Sequence, residues 1–311
     1  MWDKLKKKNK IIYALAPMAG YTDSAFRQVC KEFGADVVYS ELASAAALCY
    51  APKKTLELLA FSKKERPYVA QLFGSEPKHF EKAVKVVGKG IKPDGIDINF
   101  GCPVPKVAKQ KAGAELFKDL KQSREVIKAV IGSTDLPVSI KTRSKVGAVD
   151  VLQFLDNMKG LDIKAVMIHG RTLKQGFSGP IDCEVIKKAR NYFNGIILAN
   201  GGVYTHDDAM RILDKTRADG LGIGQGALGR PWIFKAIRTS QNVKRAPRAV
   251  FKVALKHAEL VEKLRGMAVI IEMRKHLCWY VQGLPGAKKM REELVKVENL
   301  EDIRKVLVSK N

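Results

Sequence analysis

Gly95-Ile96-Asp97-Ile98-Asn99-Phe100-Gly101-Cys102-Pro103 is the stretch that decides how the chain is read. The short apolar run Gly95 to Ile98, bounded by turn residues, reads as a strand. Its continuation, Asn-x-Gly-Cys-Pro, puts a carboxamide and a thiol on the rim of a sheet. Gly101 lets the backbone turn tightly, and Pro103 ends the ladder by removing a donor. A free thiol has a pKa near ~8.5, so Cys102 stays mostly protonated at neutral pH and can give a proton away. The same residue can also be a small buried hydrophobe with no chemistry.

Outward from this run, similar segments recur along the chain. Strands are expected at residues 11–16, 37–40, 68–73, 95–99, 138–141, 165–169, 195–200 and 220–224. Helical patterns separate most of them: 24–33, capped by Thr22 or Asp23 and closed by Gly34; 77–87; 123–131; 149–158; one ending near Tyr192; and 206–215, with Thr205 and Asp208 as a capping-box-like start. Eight short apolar runs separated by helices predict a (β/α)8 TIM barrel, with an open doubly wound sheet as the alternative. Polar or special residues gather at the C-terminal ends of the runs: Met18, Gln71, Asn99, Lys141, His169, Asn200 and Gly224. A closed barrel brings all those ends to one mouth, whereas an open sheet leaves outlying ends apart.

From about Gln241 the pattern is helical only. Val250, Val253, Ala254, His257, Leu260, Val261 and Leu264 fall at helical spacing. Further helices are expected at 269–281, 287–297 and 300–308, the last capped by Asn299. The expected division is a barrel over residues 1–240 and a small C-terminal helical domain over 241–311. The second segment holds 16 basic and 8 acidic residues, a denser positive charge than the rest.

The 311 residues carry a net charge of +24, which suits a protein that holds a polyanion, because Lys and Arg displace condensed counterions from phosphates. Five scattered cysteines, with no Cys-x-x-Cys pair and no Cys/His cluster, indicate neither a disulfide framework nor a metal site. A reducing cytoplasm is expected. Residues 11–19 are too short, and interrupted by Pro17, for a signal peptide; no run reaches the ~18 apolar residues of a membrane span.

Asn200-Gly201-Gly202 and Gly222-Ile223-Gly224-Gln225-Gly226 follow the last two strands, where barrels commonly bind a phosphate with glycine-freed backbone N–H groups. Lys141 ends a buried-looking strand and needs an anion. That anion is either a ligand ring in the mouth, such as the N1/O2 side of a reduced flavin, or a carboxylate of Glu41 or Asp97. His169 and Arg171 end the sixth strand, as packing residues or ligand contacts. Gln71 can bind a pyrimidine-like ring edge or bridge loops.

Together these residues carry a family resemblance. Residues 16–23 (Ala-Pro-Met-Ala-Gly-Tyr-Thr-Asp), Gln71 to Gly74, Asp97 to Pro103, Ile140 to Arg143, His169 to Thr172, Asn200 to Gly202, Gly224 to Trp232 and Arg274-Lys275-His276 resemble the tRNA-dihydrouridine synthases, in order along nearly the whole chain. The resemblance implies an FMN enzyme, re-reduced by NADPH or NADH, that converts uridine in tRNA to 5,6-dihydrouridine. It implies hydride transfer from flavin N5 to C6 and a proton from Cys102 to C5. It places Pro17, Met18 and Ala19 along the flavin, and Gln71 and Lys141 on its ring. Asn200, Gly201, Gly202, Gly224 and Gln225 take its phosphate end, while Asn99 and His169 lie beside the flavin or the base. Gln225 stands where many members carry Arg, and Gly202 where many carry an acid, so Arg171 or backbone N–H groups are expected to replace one phosphate contact.

The uridine must be drawn out of folded tRNA, at a cost of a few kcal/mol. Lys109 and Lys111, just after Cys102, and Lys288, Lys289 and Arg291 in the tail are candidates for the phosphate contacts that supply it. A monomer without metal or membrane attachment is expected. Two other readings are an FMN barrel reducing a free pyrimidine or small carbonyl compound, and a tRNA-binding barrel without chemistry. The charge disfavours the first, since a free base needs no polyanion clamp.

Overall fold

The computed structural model describes residues 1–240 and 246–308. Eight parallel strands close into a barrel: β1 Ile12–Leu15, β2 Val37–Ser44, β3 Tyr68–Phe73, β4 Gly95–Asn99, β5 Val138–Arg143, β6 Ile163–His169, β7 Ile196–Asn200 and β8 Gly220–Ile223. Each pairs with its neighbour in sequence, and β8 closes on β1 through Ile12 opposite Gly220. The open sheet is thereby excluded. The strands are nearly continuous apolar runs because both faces are covered.

The two faces have different cores. Ile12, Ala14, Val37, Tyr39, Val69, Ala165, Met167, Ile196 and Leu198 fill the barrel, while Leu15, Val38, Val166, Ile168 and Ile197 meet the outer helices. This is the period-two alternation of a strand. Gly222 belongs to the inner layer because Met167 already occupies the space: a Cβ there would lie 2.6 Å from Met167 Sδ. The basic N-terminus is helix Trp2–Lys8, whose Trp2 and Leu5 join the barrel's inner core.

Most helices sit where expected. Asp23, not Thr22, caps Ser24–Glu32, since its carboxylate accepts Phe26 N–H while the Thr22 hydroxyl is engaged with Met18. Thr205 caps His206–Thr216, but the Asp208 carboxylate accepts from Tyr204 N–H, not from the cap residue. The helix expected from Val149 starts at Val151 instead. Asp150 is its cap and Val149–Asp150 pairs with Lys145–Val146 as a hairpin. β2 is longer than expected and shifts register against β3 between Tyr39 and Leu42.

Beyond the barrel lie helices Pro247–Arg265, Met273–Tyr280, Ala287–Leu294 and Leu300–Val308, with a 3-10 segment at Met267–Glu272. They share a core in which Ala25 and Val29 of the barrel helix Ser24–Glu32 take part. The domain boundary expected after residue 240 abuts residues 241–245, outside the described residues. Beneath this seam, Arg27 and Glu65 form a fully buried ion pair at 2.5 Å. Arg27 also donates to the carbonyls of Thr22 and Ala60, so both charges are satisfied.

Candidate active site

The C-terminal ends of the strands enclose a cavity of about 370 Å³. Fourteen of the sixteen expected site residues line it: Pro17, Met18, Ala19, Gln71, Asn99, Cys102, Lys141, His169, Arg171, Asn200, Gly201, Gly202, Gly224 and Gln225. Lys109 and Lys111 lie outside the lining, exposed in the turn after the short helix Pro105–Ala108. Barrel closure is what unites these residues, since they come from all around the sheet.

The thiol is placed by a buried polar chain. Asn99 Oδ1 accepts from the N–H groups of Gly101 at 3.1 Å and Cys102 at 2.9 Å. Asn99 Nδ2 donates to Gln71 Oε1 at 3.0 Å. Gln71 Nε2 donates to Asp97 Oδ2 at 2.7 Å, and Ser139 Oγ donates to Asp97 Oδ1 at 2.6 Å. Such a satisfied network is rigid. Gln71 therefore bridges strands, and keeps one N–H and one lone pair for a ligand. Burial pushes the Asp97 carboxyl up to about 6, against the hydrogen bonds of Ser139 and Gln71 and the charge of Lys141.

Cys102 is 9% exposed, beside Val107 and Ala112. Burial raises its pKa above the ordinary thiol value, although Val104 N–H, Lys141 and Arg143 pull the other way. The sulfur thus holds its proton at neutral pH.

Neither carboxylate proposed for Lys141 pairs with it. Glu41 accepts Gly20 N–H, and both Asp97 oxygens are taken by Gln71 and Ser139. Among the described residues the Lys141 ammonium has no hydrogen bond or ion pair. Burial, reinforced by the neighbouring Arg143 charge, lowers its pKa to about 8, while Asp97 and Cys102 oppose the shift. A cation left unpaired at the base of a cavity calls for a ligand anion.

His169 is neutral. Burial first, then Lys141, Arg143 and Arg171, take it down to about 2. Arg171 Nη1 lies 3.4 Å from His169 Nε2. A guanidinium only donates, so this contact assigns Nε2 as the acceptor and the ring proton to Nδ1. Arg171 Nε donates to Gly179 O at 2.8 Å, tying the loop after β6 to the site.

Several lining residues escaped the sequence reading. Arg143, 2% exposed, donates to the carbonyl of Gly101 at 3.0 Å and of Gly176 at 2.9 Å, joining the Cys102 turn to the β6 loop. Its spacing of two from Lys141 on a strand was a usable signal, because i and i+2 share a face. Tyr21, Phe177, Tyr204 and Trp279 also line the cavity, and no local pattern foretold this.

Asn200 Nδ2 donates to Gly222 O at 2.7 Å, joining the ends of β7 and β8. Gly201 has φ +106, and a Cβ there would lie 2.8 Å from His169 Cδ2. A Cβ on Gly226 would lie 1.9 Å from Val203 O. Glycine at 201 lets the turn after β7 pack against the His169 ring, and glycine at 226 lets the turn after β8 reach the Val203 carbonyl. Gln225 Oε1 accepts from Tyr204 Oη at 3.3 Å.

The lining fits a flavin with a phosphate tail: an unpaired cation and amide groups at one side, a glycine cradle at the end of β7 and β8. Fold and cavity define a (β/α)8 barrel with a cofactor-sized site at its C-terminal mouth. The chain belongs to the dihydrouridine synthase family, whose profile matches residues 14–310. It is 33% identical over 303 residues to a probable tRNA-dihydrouridine synthase of Aquifex aeolicus, covering 96% of this chain and 95% of the relative. It is 34% identical over 300 residues to a probable tRNA-dihydrouridine synthase of Helicobacter pylori, covering 96% and 91%. With tRNA-dihydrouridine synthase B of Pseudomonas aeruginosa the identity is 32% over 303 residues, covering 94% and 89%. The barrel is also similar to histamine dehydrogenase from Rhizobium sp. 4-9, at TM-score 0.59 and 12% identity, covering 81% of this chain and 49% of that one. TcOYE with pHBA gives TM-score 0.54 at 10% identity, covering 78% and 92%. At these identities the two structures speak for the fold.

Proposed function

We propose that this protein is a flavin-dependent tRNA-dihydrouridine synthase, with FMN as the flavin and NADPH as the reductant. The observation that carries this reading is one cavity holding the Cys102 thiol, the unpaired Lys141 ammonium and the glycine turns after β7 and β8. Family membership and the names of the relatives support the substrate class.

Reduced flavin, when bound, supplies the hydride that saturates C6 of the uracil ring. Lys141 and Gln71 hold the ring of the cofactor, Pro17, Met18 and Ala19 lie along it, and Asn200, Gly201, Gly202, Gly224 and Gln225 take its phosphate end. Cys102 gives its proton to C5, which its raised pKa keeps available. Asn99 sets the height of that thiol by holding its backbone N–H. Neutral His169 and Arg171 complete the wall beside the base or cofactor.

The +24 charge supplies the attraction to tRNA. In this reading the barrel, residues 1–240, carries the chemistry, and the helical segment 241–311 grips the RNA. Lys109 and Lys111, exposed beside the Cys102 turn, contact phosphates of the extruded nucleotide's strand. The protein works as a monomer in the cytoplasm. No helix among the described residues is long and apolar enough to cross a membrane.

The test is reaction of FMN-loaded protein and NADPH with unmodified tRNA and with free uridine. Dihydrouridine is expected in tRNA and at most a trace from the nucleoside. Equal activity on both substrates would return the free-pyrimidine reading, and protein that takes up no FMN would sink the flavin assignment.

A further inference from the structure

Arg274-Lys275-His276 is part of the family resemblance, yet the catalytic scheme leaves it without a task. It opens helix Met273–Tyr280 of the C-terminal segment. Arg274 stays within that segment, donating to Val297 O at 2.9 Å. The next residues turn toward the barrel. Lys275 and Trp279, four apart, share one face of the helix, and His276 and Tyr280 share the adjoining one.

The first face meets the loop after β1. Lys275 Nζ lies 5.6 Å from the centre of the Tyr21 ring, and Trp279 Nε1 donates to Tyr21 Oη at 3.5 Å. Tyr21 and Trp279 both line the catalytic cavity. His276 packs edge-on to Tyr21, centroids 5.2 Å apart, 1% exposed, with neither ring nitrogen hydrogen-bonded. The end of the same helix meets the loop after β8. A Cβ on Gly229 would lie 2.2 Å from Trp279 O and 2.7 Å from Tyr280 N, and Gly229 has φ +65. Backbone thus rests on backbone without a side chain between.

One helix therefore touches the two loops that flank the cofactor seat: residues 17–21 on one side and 224–229 on the other. We propose that Trp279 is a positioning residue of the catalytic cavity. Acting through Tyr21 and seated against Gly229, it locks the flavin-lining loops, and the helical segment is part of the active-site wall as well as an RNA grip. This rests on the flavin reading of the cavity. The hydrogen bonds within each loop are local, such as Tyr21 N–H to Met18 O and Ala227 N–H to Gly224 O, and a side chain shared with a second segment adds the long-range tie that a preorganised site needs.

The experiment uses the full chain stripped of cofactor and titrated with FMN by fluorescence quenching. Visible circular dichroism of the bound flavin and tRNA steady-state kinetics accompany it. Trp279→Ala is expected to weaken FMN binding about tenfold, alter the flavin dichroism and lower kcat, while KM for tRNA stays within about twofold. Trp279→Phe should recover most of the FMN affinity. Tyr21→Phe, which loses only the hydroxyl, should shift the dichroism in the same sense. Unchanged FMN affinity and dichroism in Trp279→Ala overturn the proposal, as does a raised KM with normal FMN binding, which puts Trp279 in the RNA contact. If Trp279→Ala does not fold, unchanged dichroism in both Trp279→Phe and Tyr21→Phe overturns it instead. A parent protein that fails to bind FMN refutes the flavin reading itself, a result distinct from these.

Discussion

Asn99 and Cys102 are joined by a 2.9 Å hydrogen bond from the cysteine N–H to the carboxamide oxygen. The two residues between them, Phe100 and Gly101, are thus locked to the end of β4, which holds the backbone that carries the thiol against the cavity wall. Because Asn99 is itself held by Gln71, the position of one sulfur depends on side chains from two adjacent strands.

Two substitutions separate the proton from its placement. Cys102→Ala should retain FMN and tRNA binding but lose on the order of 10²-fold or more in single-turnover dihydrouridine formation, the usual worth of a positioned acid. Asn99→Ala should keep the thiol and still lose roughly 10-fold to 10²-fold, since a displacement of about 1 Å has that effect. Both rates are read by quench-flow with product analysis. Undiminished product from Cys102→Ala would remove the thiol from the reaction.

Lys141 should impose an alkaline limit on cofactor binding. Its ammonium, with a pKa near 8 in the protein alone, is charged below that value and loses its proton above it. Affinity for FMN should fall as the pH rises from about 7.5 to 9, measured on the stripped protein. Lys141→Met should bind more weakly at neutral pH and show no such limb. A parent profile flat through pH 9 would detach Lys141 from the cofactor.

The seam between barrel and helical segment should be acid-sensitive. Burial holds His257 down to about 4 and His276 well below the usual histidine range; the nearby Asp23 opposes the first shift, and His257 and Lys275 reinforce the second. Both rings are neutral in the fold and take up protons on unfolding once the pH is below about 6.5. Stability is therefore complete above about 6.5 and is lost as the pH falls through 4. His257 alone accounts for roughly 3 kcal/mol across that window. Urea midpoints should drop between pH 6.5 and 4.5, and His257→Gln should flatten the drop. An unchanged slope in that variant would place the acid sensitivity elsewhere.

Arg27 and Glu65 should behave as a unit. Removing either alone strands a charge that is fully buried, which costs about 3–5 kcal/mol. Arg27→Met combined with Glu65→Leu should cost less than the sum of the two single changes, by denaturant titration. Strict additivity would show that the pair is not coupled.

Much of this protein was legible along the chain. Strand β4 with its Asn-x-Gly-Cys-Pro end, the apolar runs of the other strands, and the glycine turns after β7 and β8 are local patterns set by side-chain periodicity and backbone freedom. The helix Trp2–Lys8 was not, because its two buried residues, Trp2 and Leu5, are too few to show a period. Arg143 was half-visible: its spacing from Lys141 was there, but the carbonyls it binds lie 42 and 33 residues away.

The sequence by itself determined the element order, the family and the residues fit for the chemistry, since each rests on short-range spacing and residue type. Tertiary structure alone decided which of them meet. Closure of β8 on β1 brought fourteen candidates into one cavity and left Lys109 and Lys111 outside it. The same packing took both carboxylates away from Lys141 and set Trp279, some 258 residues downstream of Tyr21, against it. Such contacts depend on how strands close and helices dock, and no local rule along the chain encodes them.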